Sequence, residues 1–237
     1  MEDKILYFDC ETTGLPPKGA KWDKDFNAFP YIVQLAWCVG DKERNLIIKP
    51  NDWEIPEEAT RVHGITTEHA KKVGVSFKVG IMEFLEDALN APLICAHNIY
   101  FDTSMIKAGV LREFGDSEDI INLLEEPLNK GKRIDTMMKT IKFVGAKYAN
   151  GKPGKYPKLE ELYFKLFGET FPAHDAMEDV RALKRCLPLL IEKQIIRLEE
   201  YQQTQEQPQE QIKEEQKEQQ KEVQSDKINK LLTQNDF

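Results

Sequence analysis

The sequence ILYFDCETTGL at residues 5–15 is the most informative segment of the chain, because an apolar run leads directly into two carboxylates. Residues 5–8 are apolar and aromatic, which predicts a buried strand. Side chains at positions i and i+2 of a strand project from the same face of the sheet, so Asp9 and Glu11 are expected to stand together at its polar end. Paired carboxylates offer oxygen ligands to a hard divalent cation. The stretch therefore predicts a metal-binding strand end.

The segments that follow predict a mixed α/β sheet. Strands are expected at residues 5–9, 32–39, 46–49, 93–96 and 133–135, and helices at residues 56–62, 67–72, 76–88, 99–114, 137–143, 159–167 and from 176 onward. Pro188 is expected to kink or split the last helix, because proline lacks an N–H group and clashes with the preceding turn. Three early strands with short connections, followed by alternating helices and strands, indicate both antiparallel and parallel pairs.

Composition excludes several classes of protein. With 237 residues, 41% of them hydrophobic, the chain can bury one substantial core. It contains neither a long apolar run nor an N-terminal signal pattern, which predicts a cytoplasmic protein with no membrane partner. The four cysteines are widely spaced, and no Cys-x-x-Cys pair occurs. They are therefore expected to be reduced and packed, not arranged as a disulfide or zinc frame.

The last forty residues differ from the rest of the chain. Residues 198–237 contain eleven glutamines, ten acidic and five basic residues. Two domains are therefore expected: a body at residues 1–197 and a polar, helical or disordered tail at residues 198–237. The alternative for the tail is a segment that binds a protein partner, with Ile228, Leu231, Leu232 and Phe237 as its anchors.

Charge is unevenly distributed within this acidic chain of net charge −8. Residues 130–158 hold nine lysines and arginines and a single acid, Asp135. Such a local excess of positive charge can attract phosphates. The segment predicts either a backbone-binding surface for a single strand, assisted by Tyr148 and Tyr156, or a solvated lysine-rich loop.

Two further segments complete a pattern with residues 5–15. They are CAHNIYFD at residues 95–102 and AHDAMEDV at residues 173–180. In this order and at these intervals, the three segments resemble the motifs of the DnaQ-like 3′–5′ exonucleases, the histidine branch of the DEDD superfamily. The resemblance covers roughly residues 1–190 and extends to four shorter stretches: IVQL at 32–35, HGIT at 63–66, IDT at 134–136 and LEEL at 159–162.

The resemblance implies an RNase H-like fold, with a five-stranded mixed sheet flanked by helices. Carried over by position, it implies that Asp9, Glu11, Asp102 and Asp179 are the four acids that bind the metal ions and that His174 is the base that deprotonates the attacking water. Two Mg²⁺ ions per site are expected, with Mn²⁺ able to substitute. The chemistry supports this set, since phosphodiester hydrolysis needs an activated water and a stabilised departing oxygen, and Mg²⁺ suits carboxylate ligands.

Local sequence also predicts how the third motif is placed. Asp175 and Glu178 have the spacing of a capping box, with Asp175 as the N-cap. His174 would then lie just outside the helix, and Asp179 about one turn inside it. In the tyrosine branch of the superfamily, a tyrosine stands four residues before the last acid. This chain has Asp175 there, which favours the histidine branch.

Substrate contacts are predicted next to the first and second motifs. The resemblance implies that the turn after the first strand meets the terminal nucleotide and that its leucine wedges against the base; its residues are Thr12, Thr13, Gly14 and Leu15. Phe101 is predicted either to stack on a base or to join the core. His63 is a candidate for substrate binding, with a packing or hydrogen-bonding role as the alternative. His97 is expected to be structural.

These features predict a metal-dependent 3′–5′ exonuclease, resembling the ε subunit of DNA polymerase III, that acts on single-stranded DNA in proofreading or repair and releases nucleoside 5′-monophosphates. DNA is favoured over RNA by the HGIT stretch. The first alternative is an RNA-trimming enzyme of the RNase T or oligoribonuclease kind. The second is a non-catalytic nucleic-acid-binding subunit, which the intact acids and histidine disfavour.

Overall fold

The computed structural model describes residues 4–201. The chain divides into two units, residues 1–196 and residues 197–237. The second unit is described only from Arg197 to Tyr201, so the predicted tail and its candidate anchors lie outside the described residues. The domain boundary expected at residue 197 stays a prediction. Within the described range, no helix combines the length and the apolar character that a bilayer-spanning segment requires.

The first unit is built on a five-stranded mixed sheet, as predicted. Its strands are β1 (Ile5–Thr12), β2 (Ile32–Val39), β3 (Lys42–Ile47), β4 (Leu93–Ala96) and β5 (Arg133–Asp135). They lie in the order β3-β2-β1-β4-β5. The pairs β1–β2 and β2–β3 are antiparallel, whereas β1–β4 and β4–β5 are parallel. The parallel strands are joined through helices, because a parallel connection must cross back over the sheet.

Between residues 4 and 196, eight α-helices flank this sheet. They are α1 (Glu57–His63), α2 (Thr67–Val73), α3 (Phe77–Asn90), α4 (Ile99–Phe114), α5 (Glu118–Glu125), α6 (Thr136–Val144), α7 (Leu159–Phe167) and α8 (Ala176–Glu192).

The two faces of β1 bury different elements. Leu6, Phe8 and Cys10 point into the main core with residues of α3 and α4. Since side chains alternate along a strand, Asp9 and Glu11 point to the opposite face, where α8 packs on β1. The sheet therefore presents its two acids to the helix that carries the third motif.

β1 was expected to end at residue 9 but continues to Thr12, and several helix ends shift by one or two residues. Three further elements differ more from the sequence prediction. β3 was expected at residues 46–49 but spans Lys42–Ile47, because a two-residue turn at Gly40 and Asp41 starts pairing directly after β2. α5 was not predicted, although Ser117 caps it by accepting from the Ile120 N–H at 3.4 Å. α8 is not split at Pro188, which is exposed. On an exposed face, the carbonyl that proline leaves unpaired can be hydrated.

Candidate active site

Three predicted acids meet at the end of β1. Carboxylate oxygens of Asp9, Glu11 and Asp179 all lie within 4.8 Å of one another, and all three side chains are partly buried. Asp9 and Glu11 come from one face of β1, and Asp179 comes from the first turn of α8. Oxygen donors at this spacing suit a hard divalent cation that retains some of its water. The donor set therefore fits the predicted metal ions.

Asp102, the fourth predicted acid, is buried beneath the other three. It lies in the first turn of α4, and its Oδ1 accepts hydrogen bonds from the Cys10 N–H at 3.2 Å and the Cys10 thiol at 3.1 Å. These bonds attach α4 to β1 between Asp9 and Glu11. Asp102 thus adjoins the three-carboxylate group without belonging to it. Its thiol partner was not anticipated from the sequence.

His174 is held against the same cluster by its backbone. Its N–H donates to Asp179 Oδ2 at 3.0 Å. The residue adopts a left-handed conformation with φ of 70°, which costs a non-glycine residue about 1–3 kcal/mol. Its imidazole is 48% exposed, and Nε2 lies 3.9 Å from Glu160 Oε1. The ring therefore remains accessible beside the acids. Glu160, in the LEEL stretch, is a neighbour that sequence reasoning had not assigned to the site.

The start of α8 follows the predicted capping in part. Asp175 Oδ1 accepts from the N–H groups of Met177 at 3.0 Å and Glu178 at 3.2 Å, which confirms it as the N-cap. Glu178, predicted to complete a capping box, is instead engaged with Arg181 at 2.6 Å. The cap sets the phase of the helix. It therefore contributes to directing Asp179 toward the strand acids.

Like charges and burial raise the pKa values of two of these groups. Burial, followed by the charge of Asp175, raises the pKa of Glu11 to about 7. Burial also raises the pKa of Asp179 to about 7, although the His174 N–H favours its charged form. Desolvation and like charges both disfavour ionisation of a carboxyl. In the absence of cations, the cluster therefore resists full ionisation near neutral pH.

The other two carboxyls are shifted in the same direction. Burial, then the charges of Asp102 and Asp179, raises the pKa of Asp9 well above its usual range. Burial raises the pKa of Asp102 to about 7, against the hydrogen bonds from Cys10. All four shifts indicate a site that is electrostatically incomplete without positive charge.

These shifts predict how stability depends on pH in the absence of cations. Because the folded pKa values are raised, the folded state holds protons that the unfolded chain releases. The contribution of these four carboxyls to the free energy of unfolding is therefore fully present below about pH 4 and is lost as the pH rises through about 7. The Tm of chelator-treated protein should fall between about pH 5 and about pH 8, and Mg²⁺ should oppose that fall. Asp9→Asn should flatten the profile. A Tm that stays level or rises without cations would contradict this.

The predicted nucleotide turn is tied to the start of β2. The Thr13 N–H donates to the Tyr31 carbonyl at 2.9 Å, and the Tyr31 N–H donates to Thr13 Oγ1 at 2.9 Å. The Thr12 hydroxyl donates to the Gly14 carbonyl at 2.7 Å. Leu15 follows with 81% of its surface exposed. An exposed leucine on a turn fixed by three hydrogen bonds is suited to contact a ligand.

The long connection behind this turn is fixed to α4 by two cations. The Lys107 ammonium lies 4.6 Å from the centre of the Trp22 ring. Arg112 Nη2 donates to the carbonyls of Phe26 at 2.8 Å and Phe29 at 2.6 Å. The helix that carries Asp102 therefore also supports the connection that follows the nucleotide turn.

His63, the predicted substrate-binding histidine, has one bonded ring nitrogen and one without a partner in the described part of the chain. His63 ends α1, and its Nδ1 accepts from the Ile65 N–H at 3.1 Å. Burial lowers the pKa of His63, and a polar contact with the Thr12 backbone partly offsets this. That contact falls short of hydrogen-bond geometry, since Nε2 has no partner within residues 4–201. His63 therefore lies beside the predicted nucleotide turn.

Phe101 is partly buried and packs against the main core. This placement agrees with the prediction that Phe101 joins the core, the alternative to stacking on a base. The ring nitrogens of His97 lie 2.9 Å from Thr136 Oγ1 and 2.8 Å from the Pro157 carbonyl. His97 therefore joins α6 to the end of the lysine-rich loop, consistent with the predicted structural role.

Gln34, in the IVQL stretch, lies next to the acidic cluster, although the sequence had not indicated any role for it. It is buried in β2 directly opposite Glu11, and its side chain is bonded to the start of α8. The available signal was a single glutamine within an otherwise apolar strand, since buried polar groups require partners.

The comparisons with known proteins agree with this geometry. The profile of the RNase T exonuclease family matches residues 6–187. No curated protein sequence matches the chain. Among solved structures, exonuclease I from Methylocaldum szegediense is 21% identical with a TM-score of 0.56, over 80% of this chain and 40% of that one. Escherichia coli exonuclease I in complex with a dA16 oligonucleotide is 22% identical with a TM-score of 0.58, over 78% and 40%.

The chain thus matches less than half the length of these solved proteins, and at such identity the likeness concerns the fold. The family profile, in contrast, covers more than half of the chain and includes all three acidic motifs. This chain belongs to the RNase T family of exonucleases, within the DEDD superfamily of 3′–5′ exonucleases.

Proposed function

We propose that this protein is a metal-dependent 3′–5′ exonuclease of the histidine branch, which removes nucleoside 5′-monophosphates from single-stranded DNA ends. The observation that carries the proposal is the meeting of Asp9, Glu11 and Asp179 within 4.8 Å, with His174 bonded to the last of them. The accessible turn at Leu15 leads away from the same strand end. A proofreading- or repair-like role and a cytoplasmic location are part of the proposal.

Asp9, Glu11 and Asp179 would hold the divalent ions. Asp102, bonded to Cys10 between Asp9 and Glu11, would add its negative charge beside them. Two Mg²⁺ ions are proposed, and Mn²⁺ should substitute because it prefers the same oxygen ligands. When bound, such ions lower the pKa of water and stabilise charge on the departing oxygen. Their positive charge would also permit the four carboxyls with raised pKa values to ionise together and a polyanion to approach.

His174 would accept the proton of the attacking water on its imidazole. The backbone bond to Asp179 fixes the residue, while the half-exposed ring faces solvent. Histidine can be neutral at working pH and is the side chain most often used as a general base. Glu160, at 3.9 Å from the ring, can favour the imidazolium that forms.

The terminal nucleotide would lie on the turn after β1. Backbone groups of Thr12, Thr13 and Gly14 are suited to contact its phosphate and sugar, and Leu15 can wedge against its base. His63, beside Thr12, is the further candidate on this surface. Sugar and phosphate contacts carry no sequence information, so the enzyme should be largely indifferent to sequence.

Part of the lysine-rich loop would attract the nucleic-acid backbone. Lys155 is committed to Glu161 at 2.9 Å, and Lys132 Nζ donates to the carbonyls of Ala88 and Leu89 at 3.2 and 3.4 Å. Lys147 and Lys152 are exposed in the same loop, where Lys147 pairs with Pro153 in an isolated antiparallel bridge. They are therefore the better candidates for phosphate contacts.

Replacing Lys147 and Lys152 together with glutamine should weaken binding of single-stranded DNA. The slope of log K against log salt should fall in magnitude by about 1.4, since each phosphate contact on a single strand contributes roughly 0.7. Fluorescence anisotropy at several salt concentrations measures both. The matched control replaces Lys4 and Lys193, which lie at the ends of β1 and α8 remote from the acids. An unchanged slope in the loop variant would identify a merely solvated loop.

The proposed activity is tested on oligonucleotides with a label at the 5′ end. A ladder shortened from the 3′ end, dependent on Mg²⁺ and abolished by a chelator, is expected on single-stranded DNA. Mismatched duplex should be degraded more slowly, and RNA more slowly still. Faster degradation of RNA would favour an RNA-trimming enzyme. Binding of DNA without any degradation would favour a non-catalytic subunit. The proposed protein partner of the tail stays a prediction, since those residues lie outside the described range.

A further inference from the structure

Gln34 is a polar residue placed inside the apolar strand β2. Its side chain is only 2% exposed, and it is paired directly across from Glu11 on β1. Directly opposed residues of an antiparallel pair share a face. Gln34 therefore lies on the face that bears the metal-binding acids and is covered by α8.

The carboxamide of Gln34 is bonded on every side. Its Nε2 donates to Asp175 Oδ2 at 3.2 Å and to Asn45 Oδ1 at 2.9 Å. Its Oε1 accepts from the Ala176 N–H at 3.2 Å. Two of these partners are the N-cap and the first residue of α8, so a single side chain of the sheet holds the start of the helix that carries Asp179.

We propose that Gln34 is a positioning residue, which sets the location of Asp179 and His174 through its hydrogen bond to Asp175. The inference rests on the proposed roles of these two residues. Asp175 uses Oδ1 to cap α8 and Oδ2 to accept from Gln34, so one carboxylate joins the helix cap to the sheet. The distance between the strand acids and the helix acid is then set by this bond.

The hydrogen bond between Gln34 and Asp175 also has a fixed direction. Asp175 can only accept, so its partner must donate, and an amide does this without adding charge beside Glu11. A glutamate at position 34 would oppose two carboxylates in a partly buried site, which is unfavourable. An asparagine at position 175 would leave its amide facing the donor of Gln34. If Gln34 turned over to accept from it, the Ala176 N–H would lose its acceptor.

Each single replacement should therefore reduce turnover. Gln34→Glu and Asp175→Asn are both expected to lower kcat by roughly 10–100-fold with little change in KM, the scale expected when a reacting group is misplaced by about 1 Å. Helix capping is retained in the second variant, because asparagine caps as well as aspartate. A measurement of Tm will show whether Gln34→Glu folds. If it does not, Asp175→Asn still tests the inference.

The double variant, Gln34→Glu with Asp175→Asn, reverses the polarity of the pair at constant total charge. The glutamate can accept from the asparagine amide, from the Ala176 N–H and, once Asn45 turns its carboxamide over, from the Asn45 amide. Turnover should return to within about threefold of wild type, a strongly non-additive result for neighbouring sites. Additive losses, or single variants that match wild type, would overturn the inference. A general packing role predicts no such rescue.

Two measurements separate this inference from the proposed function. Glu43→Gln removes another contact between β3 and α8, the ion pair with Arg181 at 2.7 Å, and should leave kcat near wild type. A loss equal to that of Gln34→Glu would indicate general helix docking and overturn the inference. Amide hydrogen exchange of residues 176–179 needs no activity. It should be faster in both single variants and restored in the double. An inactive wild type with that pattern would refute only the proposed function.

Discussion

Asp9→Asn is expected to abolish turnover, with a loss of at least about 10³-fold, because several kcal/mol of charge stabilisation disappear with the metal ions. Asp9 is the central member of the cluster: burial, and then the charges of Asp102 and Asp179, raise the pKa of its carboxyl. An amide keeps the shape of the side chain but is a far weaker ligand for a hard cation. Calorimetric titration with Mn²⁺ should therefore show reduced uptake.

The same substitution should affect stability in the opposite direction. Without cations near neutral pH, folding must either protonate Asp9 or bury its charge, a cost that the neutral amide of Asp9→Asn avoids, so the variant should have a higher Tm than wild type. Added Mg²⁺ should raise the Tm of wild type more than that of the variant. Asp41→Asn, in the exposed turn between β2 and β3, is the matched control and should change neither property. Retained turnover in Asp9→Asn would remove the basis of the proposed metal centre.

His174→Ala is expected to slow turnover by about 10²–10⁴-fold, the usual scale for losing a general base. Metal and oligonucleotide binding should be largely spared, because the imidazole is not among the clustered oxygens. The bond to Asp179 comes from the backbone N–H and survives the substitution. Single-turnover kinetics together with binding titrations separate the chemical step from binding.

A second substitution at this position controls for backbone strain. Glycine adopts a φ of 70° without the cost that alanine bears. His174→Gly should therefore be as inactive as His174→Ala while being more stable. His69→Ala, on the exposed surface of α2, should behave as wild type. Near-wild-type rates for either His174 variant would exclude the histidine as the base.

The site acids were predictable because their signals are local. An apolar run ending in Asp9 and Glu11 specifies a strand and a shared face, and Asp175 at an N-cap position specifies where α8 begins. The resemblance of the three motifs to a known exonuclease family then implied which acids meet. The same local rules identified β2, β4, α4 and α7 with the bounds that the structure shows.

The elements that were missed depend on partners remote in sequence. The strand β3 consists largely of polar residues, and pairing with β2 creates it where periodicity gives no signal. The bonds of Gln34 to Asp175 and of Cys10 to Asp102 each join residues about 90 or more positions apart. No spacing rule relates such residues. Only the polarity of Gln34 within an apolar strand indicated that a partner existed.

The tight turn at Gly40 and Asp41 offers a place to tether the enzyme. Gly40, directly after β2, lies six positions beyond Gln34, the neighbour of Glu11, which corresponds to about 20 Å of strand. A fluorophore or a surface linker attached there would stand at the far end of the sheet from the clustered acids. Immobilised protein could then digest strands arriving from solution without obstruction by its own anchor.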